Sequence, residues 1–210
     1  MMHKIVLTLI LSSCIGLSFA QKEEKAVEKA YVSYKKAILS DNGKEAVKWV
    51  DSRTVAYYTE ILEMVRSADS LQVDSLNVLD KLMVFSIRHR ASTDSILNFN
   101  GKSLLIYAIN SGMVGKNSVA RFDLGKIEID STFASAEITL GKRVAPMKFQ
   151  FHHEDEDWKM DITALFPMSR TAFRRMVTNS QEEENTYLFN LLETVSGKKP
   201  GPSIWEPVQN

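Results

Sequence analysis

The 210-residue chain has a single cysteine, Cys14, and only five prolines. One thiol cannot close an intramolecular disulfide or build a thiolate metal cage. An ordinary apolar core must therefore hold the fold. An excess of one charge is missing too, since 26 Lys and Arg stand against 26 Asp and Glu. That balance excludes the basic face of a sequence-independent nucleic-acid binder and leaves no polybasic patch for an anionic membrane. No apolar run reaches the roughly 20 residues of a membrane-spanning helix. Internal repeats, low-complexity linkers, a nucleophile-elbow serine and an HExxH pair are all absent. Asn100-Gly101-Lys102-Ser103 has the ending of a phosphate-binding loop, but Ile96 stands where that motif needs its first glycine, so the segment reads as a helix start.

What is present begins at the N-terminus. Lys4 precedes a mainly apolar stretch from Ile5 to Leu17, followed by Ser18-Phe19-Ala20 and an abrupt polar turn at Gln21-Lys22-Glu23-Glu24-Lys25. This three-part pattern reads as a cleavable signal peptide over 1–20. It predicts export to a periplasm or the extracellular medium, with residues 21–210 forming one domain. Leu11-Ser12-Ser13-Cys14 offers a different processing site, a lipobox, which would tether the domain to a membrane through Cys14. With 44% hydrophobic residues the chain can fill a single core.

Gln21 to Ser40 reads as a helix, with Ala26, Ala30, Val32, Tyr34, Ala37 and Ile38 in a loose stripe. Asp41-Asn42-Gly43 stops it, and Lys44 to Val50 reads as a short helical segment. Asp51-Ser52 caps a helix from about Arg53 to Ala68. A helix starting at Asp74 or Ser75 is apolar on most sides through Leu82, Met83, Phe85 and Ile87, which predicts burial. It ends in Arg88-His89-Arg90. Ser92 or Thr93 caps a short turn, Asn100 to Asn110 is the next helix, and Gly112 ends it.

Beyond Gly112 the apolar period changes from about 3.6 to about 2. Val119 to Ile129, bent at Gly125, then Phe133 to Leu140, Met147 to His153 and Trp158 to Ile162 read as a meander of antiparallel strands, one face apolar and one polar. Thr163 to Val177 reads as a helix interrupted near its start by Pro167. Ser180-Gln181-Glu182-Glu183 reads as a capping box for a helix that Gly197 ends. Lys198 to Asn210 reads as an extended Pro-rich tail holding Trp205.

Helices first and a meandering sheet second give an α+β fold, with N-terminal helices over a curved antiparallel sheet and extra helices at the C-terminus. Leu124-Gly125-Lys126-Ile127-Glu128-Ile129, Ala134-Ser135-Ala136-Glu137-Ile138, Met147-Lys148-Phe149-Gln150-Phe151 and Trp158-Lys159-Met160-Asp161-Ile162 carry a resemblance. The stretch from Gln21 to Ile162 resembles the NTF2-like superfamily, a cone-shaped fold, and in particular its exported bacterial members of unassigned activity. That resemblance implies a pocket in the mouth of the cone and frequent homodimers through the sheet. It also implies that an enzyme of the family would place an Asp/His or Asp/Tyr pair in that mouth, and no such pair aligns here.

Five residues are the expected ligand-binding positions. Tyr57 and Tyr107 lie on helices that should cover the sheet. Arg88 and His89 end a buried helix, where a guanidinium would suit a carboxylate or phosphate. Asp161 lies between apolar positions on the last strand. His152 and His153 are adjacent strand residues and point to opposite faces, so they cannot share an ion. Glu154-Asp155-Glu156-Asp157 reads as a solvated hairpin tip. No metal and no cofactor are expected, and no catalytic set is readable. The expected function is binding of a small apolar or anionic ligand, or of a protein, without catalysis. The alternatives are a lyase or isomerase using a carboxylate or histidine as base, and an envelope assembly protein docking through its tail.

Overall fold

The computed structural model describes residues 2–114 and 116–208, with side chains from Gln21 onward, so the side chains of the expected leader over 1–20, Cys14 among them, lie outside the description. In α1 (Met2–Leu39) the buried stripe is Val27, Ala30, Tyr31, Tyr34, Ala37 and Ile38, spaced at the helical repeat. Val32, expected in that stripe, faces outward at 59% exposure, and Tyr31 takes its place. The Tyr31 hydroxyl and Lys35 Nζ both donate to Phe122 O at 2.6 Å. Trp158 Nε1 donates to Glu23 at 2.9 Å. These bonds pin α1 across the sheet from its first strand to its last.

Short elements follow: α2 (Gly43–Ala46), a 3-10 turn over Val47–Trp49, and α3 (Ser52–Ser67). Asp51 caps α3 as expected, its Oδ1 accepting from the Thr54 amide at 2.9 Å. The single helix expected from Asp74 is instead two, α4 (Ser70–Asp74) and α5 (Val78–Arg90). The break falls there because Asn77 caps α5 with bonds from both the Leu79 and Asp80 amides, while Asp69 and Gln72 close a capping box on α4. α6 (Thr93–Asn98) and α7 (Gly101–Asn110) complete the layer, capped by Ser92 and Asn100. Gly101 is where α7 approaches α3: a Cβ there would lie 2.2 Å from Thr59 Oγ1 and 2.6 Å from Val55 O.

The sheet is an antiparallel meander in sequence order, β1 (Asp123–Asp130), β2 (Phe133–Leu140), β3 (Arg143–Glu154) and β4 (Asp157–Asp161). The first strand is shorter than expected because Val119 to Phe122 turn beneath α1 instead of pairing. The ladder slips between Leu124 and Ile127, around Gly125. Ala134, Ala136, Ile138, Phe149, Phe151, Trp158 and Met160 are buried on the inner face. Lys126, Glu128, Lys148, Gln150 and His152 lie on the other. Val50 adds one parallel bridge beside Met160, which brings the start of α3 against the end of β4.

A 3-10 turn over Thr163–Leu165 leads into α8 (Phe166–Ser180), with Pro167 in its first turn. The expected capping box at Ser180 does not form. The Ser180 hydroxyl donates to Val177 O at 2.7 Å and closes α8. Gln181 then turns left-handed at φ 59, and α9 (Glu184–Ser196) starts with no side-chain cap. The tail is not extended either. Pro202–Trp205 is a 3-10 turn, and the Trp205 ring sits 4.8 Å from Phe85 and 5.9 Å from Phe189, centroid to centroid. Lys81, buried on α5, holds α9 through Glu184 at 2.9 Å and reaches Asp74 at 3.2 Å. The result is an α+β protein, helices on one face of an open four-stranded sheet, and among the described residues no helix is long and apolar enough to cross a membrane.

Candidate functional site: an apolar cavity beneath α8

The inner face of the sheet and the surrounding helices enclose a cavity of about 340 Å³. Phe149 and Met160 floor it, Tyr34 enters from α1, Tyr57 and Tyr58 from α3, and Leu79 and Met83 from α5. α8 roofs it through Phe166, Ser169 and Phe173. A second hollow of about 410 Å³ lies between α5, α8 and α9, and Leu79, Met83, Met113 and Phe173 line both. The two spaces therefore meet at a partition of apolar side chains, two of them methionines that can change shape at low cost. A volume of this size falls in the range of roughly 300–1,000 Å³ typical of small-molecule sites. The C-terminal helices cover the space rather than filling it: α8 has no fully buried residue, and Met168 and Met176 on it are half exposed.

The polar groups in the lining are hydroxyls, those of Ser118, Ser169 and three tyrosines. Burial pushes the phenols of Tyr34, Tyr57 and Tyr58 well above the usual tyrosine range, and the Asp80 carboxylate adds to the effect at Tyr57. They are neutral hydrogen-bonding groups at physiological pH, unsuited to act as bases. Tyr57 donates to Asp80 Oδ1 at 2.7 Å, and its ring lies 4.6 Å from that of Phe166 in the roof. The Asn77 side-chain amide and Arg170 Nη2, 3.4 Å from each carboxylate oxygen, also hold Asp80. Among the described residues, Arg170 Nε is buried without a hydrogen-bond partner. Each N–H of a guanidinium wants an acceptor, so the group that Arg170 and Asp80 form behind Tyr57 has a donor to spare.

The five expected residues do not converge. Tyr57 lines the cavity. Arg88 spends its donors on backbone carbonyls, from Nε to Val65 O at 3.0 Å and from Nη2 to Met64 O at 3.1 Å and Ala68 O at 2.6 Å. Its Nη1 reaches Ile204 O at 3.3 Å. It thus ties the end of α3 to the tail. His89 Nε2 meets the Ser196 hydroxyl at 2.9 Å, against α9. Tyr107 donates to Arg90 O at 2.7 Å and stacks on Phe99. Asp161 faces away from the cavity that its neighbours Met160 and Ile162 line, and its Oδ1 accepts from the amide and hydroxyl of Thr163. Reading the sequence alone missed Tyr34, Asp80, Arg170 and the roof. The one available signal was Asn77-x-x-Asp80, a cap pattern that fixes where Asp80 stands on α5.

Among the described residues, one group has the spacing of a metal site: Asp51, His152 and Asp161, on the polar side of the sheet. In comparison with family models, curated proteins and solved structures, the chain matches none.

Proposed function

We propose that this chain is an exported NTF2-like domain that holds a small, largely apolar ligand in the cavity beneath α8 and performs no chemistry on it. The observation that carries the proposal is the cavity itself, about 340 Å³, walled by aromatic, methionine and aliphatic side chains. Among the described residues no carboxylate, imidazole or amine lines it, which leaves the lyase or isomerase alternative without a base there. The hydroxyls of Ser118, Ser169, Tyr34, Tyr57 and Tyr58 suit one polar oxygen on an otherwise apolar body. The assembly alternative needs a tail free to dock elsewhere, and Trp205 is held by Phe85 and Phe189 of its own domain. The resemblance to the NTF2-like family puts a second copy against the outer face of the sheet, which carries Lys126, Lys148 and Glu128 and is self-complementary in charge. Export proceeds by cleavage after Ala20, which the mass of the mature chain would reveal.

The test is titration with 1-anilinonaphthalene-8-sulfonate, an apolar body with an anionic head. The expected result is saturable one-site binding to the folded protein, weakened at least tenfold in Ser169→Trp, which fills the space under the roof. Absence of binding, or equal binding to a folded Ser169→Trp, contradicts the proposal.

A further inference from the structure

The polar side of the sheet holds a separate constellation. Asp51, at the start of α3, has a completely buried side chain, and that of Asp161, at the end of β4, is 8% exposed. Each carboxylate is fixed by a threonine through its Oδ1. Asp51 Oδ1 accepts from the Thr54 amide at 2.9 Å and hydroxyl at 2.8 Å, and Asp161 Oδ1 accepts from the Thr163 amide at 2.8 Å and hydroxyl at 2.6 Å. The Thr54 hydroxyl in turn accepts from the Ile162 amide at 3.0 Å, which ties the two segments together. The carboxylates of Asp51 and Asp161 gather beside His152. Asp161 Oδ2 accepts no hydrogen bond among the described residues, and His152 Nε2 lies 3.9 Å from it. Asp51 Oδ2 has only Arg53 Nη1 at 3.4 Å, from a side chain that is 54% exposed and also 3.7 Å from Glu154. A ligand atom from each of Asp51, His152 and Asp161 lies within 4.8 Å of the other two.

Two largely buried carboxylates lie close together with one half-exposed guanidinium, 3.4 Å from Asp51, as their cationic partner beside His152, and burying charge without full compensation is unfavourable. A cation beside them removes that penalty. We infer that Asp51, His152 and Asp161 bind a divalent first-row transition cation of the manganese-to-zinc series. The donor set selects the class. One imidazole and two carboxylates suit such ions, Mg²⁺ and Ca²⁺ prefer oxygen alone, and Cu(I) needs sulfur. Metal–ligand bonds of about 2.0–2.2 Å place the donor atoms roughly 3.0–3.5 Å apart, so the site closes by no more than about 1.8 Å on binding. The two threonines orient the carboxylates as outer-shell partners of metal ligands do. His153 takes no part, because it points to the other face and packs on Trp158.

The experiment is isothermal titration of the folded full-length protein with ZnCl₂, repeated with MnCl₂ and CoCl₂, and thermal melts with and without metal. Expected are one saturable site for at least one of these ions, a rise in Tm on binding, and affinity at least tenfold lower in His152→Gln. His153→Gln, which changes the neighbouring imidazole, keeps wild-type affinity. His152→Gln alters a partly exposed side chain, so its fold can be checked by circular dichroism, and it does not depend on the buried aspartates tolerating substitution. Saturable binding by none of the three ions overturns the inference. So does binding of equal strength in His152→Gln, which would place the ion at the acidic hairpin tip instead.

Discussion

Replacing Arg88 with alanine tests whether the C-terminal segment is an integral part of the domain. The guanidinium donates to three carbonyls around the end of α3 and to Ile204 O in the tail. Burial draws its pKa below the ordinary arginine value, partly offset by Glu206, but the group stays charged. Hydrogen bonds to a charged group contribute about 1.5–3 kcal/mol each. Water can reach part of this half-buried site, and Met64 O already accepts from the Ala68 amide. The expected loss is therefore about 3 kcal/mol, well below the sum of four bonds. For a domain of roughly 190 residues that corresponds to a fall in Tm of roughly 6–12 °C. The assay is urea and thermal unfolding followed by circular dichroism, with limited proteolysis of the tail between Pro200 and Pro207. Arg88→Lys should recover less than half of the loss, since one ammonium cannot reach carbonyls on both α3 and the tail. A loss within about 0.5 kcal/mol, typical of an exposed substitution, would refute the reasoning.

Three other outcomes follow from the same contacts. Gly101→Ala should destabilise the protein by roughly 1–3 kcal/mol in urea unfolding, because the new methyl meets Thr59 Oγ1 and Val55 O and pushes α7 off α3; wild-type stability would mean the helices separate freely. Tyr31, Tyr34, Tyr57 and Tyr58 have raised pKa values from burial, so their neutral forms support the fold: stability holds below the ordinary value of 10.0 and falls as pH rises above it. An ultraviolet titration at about pH 11 should therefore show far less phenolate than the six tyrosines would give while circular dichroism remains native; full ionisation of a folded protein would contradict this. Hydrogen bonds from Lys148 and Lys126 hold the exposed Glu128 carboxyl down from 4.5 to about 2. The contribution of this network is present above 4.5 and is lost as pH falls toward 2, and an NMR titration should find the Glu128 midpoint moved upward in Lys148→Met, an unchanged midpoint being the refuting result.

Much of the architecture was legible because local chemistry and tertiary structure agree. The alternation of Ala134, Ala136 and Ile138 fixed β2 to its observed ends, and Asp51 was readable as the cap of α3 because an aspartate before a helical stripe has little else to do. Gly112 and Gly197 stand at positive φ where their helices stop. The misreadings occurred where a side chain had two uses. Ser180 could cap the next helix or close the previous one, and packing of Phe173 and Val177 carries α8 through it. Asn77 was hidden inside a longer apolar pattern that ran across it. The site was much less legible. Tyr57 could be placed because it shares a helix with residues of obvious core character. The long side chains of Arg88 and Tyr107 choose distant carbonyls that no spacing along the chain reveals. The meeting of Asp51 with His152 and Asp161 depends on pairings between segments far apart in sequence, Val50 beside Met160 and the Ile162 amide on Thr54 Oγ1.

The central claim is that the space under α8 is a binding site, and native mass spectrometry of the protein recovered from its own host tests it most directly. The account predicts a folded protein carrying one additional small mass that is missing from the same preparation of Ser169→Trp. Wild-type and variant spectra alike, both bare or both carrying the same mass, would contradict it.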